Sequence, residues 1–538
     1  MKMTPTSTTA NGTKTRAKAM RNRRPALSVL HIEEPELEFR FGQRVTYPRD
    51  GLYLFGPVDA GAAPRSIRYG FIGTPQSFEC FQEWASQVSG YIPIPTRGKT
   101  SKESMPHHVP FPGFAETFFS HWSATPAFAI RDLSEDDLRR KAHIGNRHEA
   151  IKELVDTYVD RLIAEIKRLE DPPQFWYAVI PEFVYELGRP QSAVSKADRV
   201  PGKILVSEKQ ASKMTYQASL FAQDEKDAEV YQYEKNFRRQ LKARLLDHKI
   251  VTQIVRETTL APGRFLKAGT DQPKRRVEDP ATIAWKLSTG SYYKSGGRPW
   301  QLAGVRPGVC YVGLVYKQQP QNEDHRYACC AAQMFLADGE GVVFRGALGP
   351  WYNPDTRQYH LDADAAYRLA STVIAEYKNK HDCEPTELFI HAQSRFDDAE
   401  WEGFHSACSG ATNPVGVQIG DAWDDLKLFR PGNYPVIRGT ALIVSARAGY
   451  LWTSGYVPRL DTYMGPDTPN PLHIVIRRGD ASIQTVMADV LALSKINFNS
   501  CLFNDRLPVT LRFANAIGEI LTAAPLHSEP MLPFKHYI

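Results

Sequence analysis

Four side chains between positions 238 and 294 have the types and the spacing needed to hold one phosphate group. They are a guanidinium (Arg238), two ammonium groups (Lys242 and Lys294) and a carboxamide (Gln253). A terminal phosphate carries roughly 1.5 to 2 negative charges and three acceptor oxygens, so it can engage several such donors at once. The chemistry to consider first is therefore the binding of a phosphorylated end.

The elements that must position these side chains can be predicted from local patterns. Apolar residues recur every four positions over 236–246, which predicts a helix with Arg238 and Lys242 one turn apart. The β-branched run 250–255 predicts a strand that carries Gln253 at or near its end. A second helix is predicted to begin after Asp279 as its N-cap, with proline at its first position, and to stop at the following glycine pair. One face of that helix presents Lys286, Gly290 and Lys294.

Basic pairs on a helix are most often a solvated face, so the pattern alone leaves that interpretation open. The four side chains also fall in the order and approximate spacing of the 5′-phosphate motif of the MID domain in Argonaute proteins, where the first position is often Tyr or His. The segment YYKSGGRPW, from Tyr292 to Trp300, resembles the MID-to-PIWI junction of short prokaryotic Argonautes. Further agreement lies in PRDGLYLFGP (Pro48 to Pro57), LWTSGYVPRL (Leu451 to Leu460), LSKINFNS (Leu493 to Ser500) and LPVTLRFA (Leu507 to Ala514). The resemblance spans residues 37–538.

The resemblance and the periodicity predict the same fold class. Alternating helix and strand patterns through Gln253 predict a doubly wound α/β domain whose ligand sits at the carboxyl ends of the strands. They include a long helix over 145–169, a buried strand over 175–185 and extended segments over 37–57. The resemblance implies a Rossmann-like MID domain followed by an RNase H-like PIWI domain. The predicted divisions are a disordered basic tail (1–28), a MID domain with an N-terminal extension (29–297) and a PIWI domain (298–538).

The resemblance also implies a set of site residues. Lys286 is expected as a fifth phosphate contact, at a position where relatives usually carry Asn. A divalent ion, Mg²⁺, is expected to bridge guide phosphates with Gln253 and the C-terminal carboxylate on Ile538. The helix-like segment LSKINFNS offers contacts to the guide backbone, with structural polar residues as the equal alternative. These candidates are Lys495, Asn497 and Asn499.

The PIWI domain is not expected to cut nucleic acid. Slicing Argonautes hold two divalent cations with converging carboxylates. Here Val315 occupies the first carboxylate position, Gln393 and Ser394 stand at the second, and His473 is the strongest ligand in the final region. Nearby acids offer an unaligned site as an alternative, although turn and helix N-terminal acids are the simpler interpretation. They are Asp338, Glu340, Asp397, Asp398 and Glu400.

Composition and charge narrow the function classes. The net charge is +6, but residues 1–25 hold seven basic and no acidic residues, which leaves −1 for the rest. A nucleic-acid groove must therefore come from local segregation of charge. The seven cysteines show no metal-ligand spacing, so no zinc site is predicted; for His107 and His108 a surface loop is favoured over a metal role, because no third ligand is evident. No apolar run is long enough to span a bilayer and no export signal is evident, so a cytoplasmic protein is expected.

The function implied by the resemblance is recognition without cleavage. The chain is expected to load a short 5′-phosphorylated guide, RNA by preference, and to pair it with a complementary single-stranded DNA target. An effector carrying an APAZ region and a TIR, sirtuin-like or nuclease domain is expected as a heterodimer partner, with abortive infection as an antiviral outcome. Two alternatives stay open: an active guide-directed endonuclease, and a guide-independent nucleic-acid-binding protein that relies on the basic tail.

Overall fold

The computed structural model describes residues 27–94, 107–214, 221–318, 328–335, 341–422, 426–463, 465, 467–525 and 532–538. Of the predicted basic tail, residues 1–26 lie outside these ranges. The described helices are α1 (Pro48–Leu54), α2 (Pro75–Gln87), α3 (Phe114–Phe118), α4 (Glu135–Ala142), α5 (Arg147–Ile166), α6 (Glu182–Leu187), α7 (Glu208–Met214), α8 (Ala222–Ala228), α9 (Phe237–Leu246), α10 (Glu257–Leu260), α11 (Pro280–Lys294), α12 (Ala363–His381), α13 (Asp398–Ala407), α14 (Ile483–Leu493) and α15 (Val509–Leu521).

The described strands fall into two main sheets and several short pairs. They are β1 (Ser28–His31), β2 (Leu37–Glu38), β3 (Arg44–Val45), β4 (Arg65–Ser66), β5 (Tyr69–Ile72), β6 (Ser120–His121), β7 (Phe128–Ile130), β8 (Phe175–Ile180), β9 (Thr252–Arg256), β10 (Gln301–Leu302), β11 (Val309–Gln318), β12 (Ala328–Phe335), β13 (Gly341–Gly349), β14 (Tyr352–Asn353), β15 (Gln358–Tyr359), β16 (Glu387–Ala392), β17 (Asn413–Asp421), β18 (Thr440–Ser445), β19 (Ala448–Leu451), β20 (Leu472–Arg478) and β21 (Leu532–Pro533).

The first half of the chain is built on a parallel sheet with strand order β7-β5-β8-β9. All six residues of β8 are apolar or aromatic, and all are buried, because helices cover both faces of the sheet. The helices α5 and α9 pack on one face, and α2 and α11 pack on the other. The predicted α/β domain with a parallel sheet is confirmed.

The second half is built on a mixed sheet of ten strands, in the order β1-β18-β19-β20-β17-β16-β11-β12-β13-β21. Its central strands β11, β16 and β17 run parallel, and the flanking pairs are antiparallel. One face carries α12 and α13, and the other carries α14 and α15. The large mixed α/β sheet agrees with the fold class that the sequence predicts.

The two halves are joined through shared packing. The strand β1 pairs with β18, and β2 pairs with β10, so the first described residues belong physically to the second half. One apolar cluster contains side chains from both sheets. Between α9 and α15, Arg239 donates to Glu519 at 2.7 Å. The predicted division between residues 297 and 298 stays a prediction.

Three local predictions are wrong. The segment from Pro48 to Leu54 is helical rather than extended, because proline is compatible with the first turn and Asp50 lies favourably at the N-terminus. Glycine is required at position 51, because a side chain there would overlap the Phe39 ring. The strand predicted over 175–185 ends at residue 180, where Pro181 becomes the N-cap of α6. The helix-like segment 493–500 is helical only at Leu493, where α14 ends, and residues 494–500 lie in turns and irregular backbone.

None of the helices in the described part of the chain combines the length and the apolar character needed to cross a bilayer.

Candidate nucleic-acid interface

Two capped helices and an edge strand frame the predicted phosphate site. The Asn236 side chain accepts from the Arg239 backbone N–H at the start of α9, and Asp279 accepts from the Thr282 N–H at the start of α11. The strand β9 lies at the edge of the parallel sheet beside β8. Both helices and the Asp279 cap are confirmed as predicted from the sequence.

The two lysines meet segments that are far apart in the sequence. The Lys242 ammonium donates to the Thr252 carbonyl at 2.9 Å and to the main-chain oxygen of Ile538 at 2.5 Å. The Lys294 ammonium donates to Gln253 Oε1 and lies 3.4 Å from Asn499 Oδ1. The structure therefore brings Lys242, Gln253, Lys294, Asn499 and Ile538 together at one place.

Both ammonium groups are buried in a region of positive charge. The exposed fraction is 2% for Lys242 and 1% for Lys294. Burial, followed by the charge of Arg238, lowers the pKa of Lys294 to about 7. Burial, with Lys294 and Arg238 nearby, lowers the pKa of Lys242 well below its usual range. Among the described residues, no Asp or Glu side chain contributes to either shift, so a bound anion would stabilise both ammonium groups.

Arg238 connects this buried cluster to a cavity of about 770 Å³. The cavity lies at the carboxyl ends of β8 and β9, where an open α/β sheet binds its ligands. Tyr185, which is 38% exposed, lines the cavity. The Arg256 guanidinium lies 3.9 Å from the centre of that ring, and the Arg189 guanidinium lies 5.3 Å from it. The cavity is thus lined by an aromatic ring and two guanidinium groups, which are the kinds of group that bind nucleotides through stacking and charge.

Most of the other residues predicted to contact the guide lie away from the lysine cluster. Lys286 forms an ion pair with Glu278 at 2.6 Å and lines a second cavity. The Lys495 ammonium is fully buried and pairs with Glu34 at 2.7 Å. Asn497 donates to Asp505 at 2.7 Å. In this conformation Lys495 and Asn497 stabilise the loop after α14, and only Asn499 of that set joins the lysine cluster.

The second cavity has a volume of about 1350 Å³ and was not evident from the sequence. Its lining joins Thr282 and Lys286 of α11 to the loop that contains Phe503. Arg49 of α1 is 3% exposed and lines the same cavity, where its Nε donates to the Cys501 carbonyl at 3.0 Å. Within the described part of the chain, no Asp or Glu carboxylate forms an ion pair with Arg49, although its charge helps to lower the pKa of Asp279. Sequence patterns do not identify Arg49 as a site residue, because they predict an extended conformation for its segment.

Comparison with solved structures supplies the fold family. The structure of Clostridium butyricum Argonaute bound to a guide DNA with a 5′ deoxycytidine and a 19-mer target DNA matches with a TM-score of 0.56 and 14% identity, over 93% of this chain and 53% of that chain. The crystal structure of Aa-Ago with externally bound siRNA matches with a TM-score of 0.51 and 12% identity, over 94% and 56%. The chain has the MID–PIWI fold of Argonautes.

These matches rest on structure alone. No protein-family model matches the sequence, and no curated protein matches it. The chain spans about half the length of the Argonautes that it matches.

The positions at which the resemblance predicts metal-binding carboxylates carry Val315, Gln393 and Ser394. Leu314 of β11 pairs with Ala392 of β16, so Val315 and Gln393 follow at the same edge. Val315 is buried among strand residues. Ser394 comes next along the chain, and His473 of β20 stacks on Tyr450 with ring centres 4.7 Å apart. The loss of cleavage remains a prediction.

The nearby acids have other contacts. Asp338 and Glu340 lie outside the described residues. Asp397 caps α13, and Asp398 pairs with Arg478. Glu400 is fully buried and accepts from Tyr316 and from the Leu361 N–H. Within the part of the chain that the structure describes, no group of three or more His, Cys, Asp or Glu side chains is arranged to hold a metal ion.

The two oxygens predicted to hold Mg²⁺, on Gln253 and on the C-terminal Ile538, both accept from lysines in this structure, and the Mg²⁺ site stays a prediction. Mg²⁺ prefers an octahedral shell of oxygens, with one or two carboxylates and several waters. Gln253 Oε1 already accepts from Lys294, and the main-chain oxygen of Ile538 accepts from Lys242. Two ammonium groups thus contact the two oxygens that the ion was predicted to share.

Proposed function

We propose that this chain is the guide-binding subunit of a nucleic-acid-guided defence system. It binds the 5′ phosphate of a short guide and presents the guide to a complementary single strand. The observation that carries the proposal is the buried pair Lys242 and Lys294, to which the described residues offer no Asp or Glu partner and which lies near Arg238 of the smaller cavity. The Argonaute of Clostridium butyricum, whose fold this chain shares, was solved with a guide DNA and a target DNA.

The phosphate and the base of the terminal nucleotide bind in two neighbouring parts of the site. The phosphate lies against Arg238, Lys242 and Lys294, with Gln253 and Asn499 holding the Lys294 ammonium in place. The terminal base enters the cavity of about 770 Å³ and stacks near Tyr185. Hydrogen bonds between charged groups contribute about 1.5 to 3 kcal/mol each, so loss of the phosphate has a large effect on affinity.

The next nucleotides follow α11 into the larger cavity. Thr282, Lys286, Gly290 and Lys294 are four positions apart and therefore form one line along the helix. The first two line the cavity of about 1350 Å³, and the last belongs to the phosphate cluster. Arg49 faces the same cavity and supplies a second fixed cation for a backbone phosphate.

The proposed guide is RNA and the proposed target is single-stranded DNA, which the chain recognises without cutting. Val315, Gln393 and Ser394 stand where the resemblance places metal-binding carboxylates. Recognition then activates a separate APAZ-containing effector of the TIR, sirtuin-like or nuclease type. With either of the first two, NAD⁺ depletion would lead to abortive infection.

The experiment that tests the phosphate site is a binding measurement on paired guides. The same RNA is prepared with a 5′ phosphate and with a 5′ hydroxyl, and both affinities are measured across a salt series. Wild type is expected to prefer the phosphate, and Lys242→Ala with Lys294→Ala is expected to remove that preference and flatten the salt dependence. Unchanged affinity in the double variant would count decisively against the site.

The endonuclease alternative is tested separately. The full chain is loaded with a 5′-phosphorylated guide and incubated with a matched target and Mg²⁺ or Mn²⁺. No product of defined length is expected. Guide-directed cleavage that disappears on Asp397→Asn or Glu400→Gln would establish an active site that differs from the usual Argonaute arrangement.

The effector is tested by co-expression with the neighbouring gene product. The purified complex receives guide and target, and NAD⁺ is measured over time. NAD⁺ loss that requires both strands supports a TIR or sirtuin-like partner, whereas degradation of bystander nucleic acid indicates a nuclease. If neither activity follows target recognition, the effector part of the proposal is wrong.

A further inference from the structure

Two tyrosine rings form a stacked pair at the surface of the second half of the chain. Tyr434 lies in the loop between β17 and β18, and Tyr456 follows β19. Their ring centres are 4.3 Å apart, and their planes differ by 21°. Tyr456 covers one face of the Tyr434 ring, and Tyr434 remains 38% exposed. The exposed part of this ring is therefore open to a further planar group.

Both rings are fixed by hydrogen bonds to Asp461. The Tyr456 hydroxyl donates to Asp461 Oδ1 at 2.8 Å, and the Tyr434 hydroxyl donates to the Asp461 carbonyl at 3.3 Å. The main chain adds a further link, because the Tyr456 N–H donates to the Val436 carbonyl at 2.9 Å. Rings that are held in place before binding lose little side-chain freedom when a ligand covers them.

A cation and a third aromatic ring lie on the same loop as Tyr434. The Arg430 guanidinium lies 5.0 Å from the centre of the Tyr456 ring, and its Nε donates to the Tyr434 carbonyl at 3.3 Å. Phe429 is 75% exposed. Exposed aromatic rings beside arginine bind unpaired nucleobases by stacking, and they bind the phosphates of the same strand by charge. Phe429, Arg430, Tyr434 and Tyr456 together form the aromatic platform.

The aromatic platform adjoins the larger cavity. Lys427 of the same loop lines that cavity, and so do Gly455 and Val457 on either side of Tyr456 along the chain. The proposed guide follows α11, which supplies a different part of the lining. A guide on α11 leaves the wall around Lys427 to the strand that pairs with the guide.

We propose that the aromatic platform binds an unpaired base of the target strand, next to the segment that is paired with the guide. The base stacks on the exposed part of Tyr434, and Lys427 and Arg430 offer positive charge to the adjoining phosphates. Bases that are paired with the guide are stacked within a duplex, so the ligand is an unpaired flank. This inference rests on the proposed function, because the target must be held by a bound guide.

The test measures how the guide-loaded protein binds targets that differ only in their flanks. All targets have the same paired segment, and each carries three flanking residues, either thymidine or abasic, on its 5′ or its 3′ side. Wild type is expected to bind the thymidine flank on one side about fivefold or more tightly than the abasic flank. A 2-aminopurine base placed in that flank is expected to lose fluorescence on binding, because stacking quenches it.

Three variants make the result specific to the ring of Tyr434. Tyr434→Ala removes the ring and is expected to abolish the difference between thymidine and abasic flanks. Tyr434→Phe keeps the ring and loses only the hydrogen bond to Asp461, so it is expected to retain the difference. Tyr367→Ala is the matched control, since Tyr367 is a 47% exposed tyrosine on α12. Guide affinity and thermal unfolding are measured for all three variants, and both are expected to match wild type.

The outcomes separate this inference from the proposed function. A flank preference that is kept in Tyr434→Phe and lost in Tyr434→Ala supports the platform. Equal affinity of wild type for both kinds of flank overturns the inference, and so does a loss of guide affinity in Tyr434→Ala without target; both leave the guide-binding proposal in place. If Tyr434→Ala keeps the flank preference but no longer retains the co-expressed effector, the surface binds protein and the inference is wrong. If wild type shows no preference for a 5′-phosphorylated guide, the proposed function fails, and the inference fails with it.

Discussion

At the scale of single residues, a substitution at Gly290 can distinguish effects on folding from effects on guide binding. A methyl group at Gly51, Gly403 or Gly518 would overlap neighbouring atoms, so packing explains those helical glycines. At Gly290 the nearest atoms to an added methyl would be Gln253 Oε1 at 3.6 Å and Asn499 Oδ1 at 3.7 Å, which is ordinary contact. A methyl group at position 290 therefore fits into the folded protein without displacing its neighbours.

Gly290→Ala is expected to stabilise the protein and to weaken guide binding. Alanine in a helix interior is favoured over glycine by about 0.5–1 kcal/mol. The methyl group fills the space beside Lys294, and so the preference for a 5′ phosphate is expected to fall several-fold. Denaturant unfolding and the paired-guide assay measure the two effects. Higher stability with an unchanged preference would show that this space is not used by the guide.

A buried carboxyl group on the same domain gives a prediction about pH. Glu257 is 6% exposed and accepts from Ser77 Oγ and from the Glu182 N–H. Burial raises its pKa from 4.5 to about 7. The folded state therefore holds the protonated form more tightly than the unfolded state does, and stability is lost as pH rises from 4.5 to 7.

Glu257→Gln is expected to remove this loss. The variant should be more stable than wild type at pH 8 by about 1–3 kcal/mol and show little gain at pH 4.5. Urea unfolding at both pH values measures the difference. Glu83→Gln, at an exposed carboxylate, is the control for a general effect of charge. An equal gain at both pH values would contradict the assignment.

At the scale of elements, local signals were sufficient for the two site helices. The apolar periodicity over 236–246 identifies α9 from sequence, and the Asp279 cap with the following proline identifies α11. The contacts of Lys242 and Lys294 could not be predicted from local sequence patterns. Ile538 and Asn499 reach the cluster through tertiary packing, and the direction of Lys286 depends on its ion pair with Glu278.

The helix α1 was missed for a related reason. Proline and glycine in PRDGLYL are read as chain breakers, although proline suits a first helical turn and this glycine packs under Phe39. The error concealed Arg49, whose guanidinium reaches the large cavity only because the segment is helical. A wrong element therefore removed a candidate site residue.

Arg49→Gln is expected to weaken guide binding regardless of the 5′ end. Its guanidinium lies in the cavity proposed for later nucleotides, so affinities for the 5′-phosphate and 5′-hydroxyl guides should fall by a similar factor, about tenfold. The slope of log affinity against log salt should decrease by about one. A loss confined to the phosphorylated guide would place Arg49 in the 5′ site instead.

At the scale of the whole molecule, positive charge is distributed unevenly. The first 25 residues contain seven basic and no acidic residues, while the rest of the chain has a net charge of −1. Guide-specific affinity in the proposed function comes from few cations at fixed positions, whereas a tail of this kind contributes affinity that does not depend on the 5′ end. The two contributions can be separated by truncation.

Removal of residues 1–26 leaves β1 intact, because the strand begins at Ser28 and pairs with β18. Absolute affinity for every oligonucleotide and the salt slope are expected to fall, since fewer counterions are released. The ratio between 5′-hydroxyl and 5′-phosphate dissociation constants is expected to stay constant, because Lys242 and Lys294 are unchanged. If the truncated chain loses that ratio together with most of its affinity, the tail is the principal binding element and guide-independent binding becomes the better account.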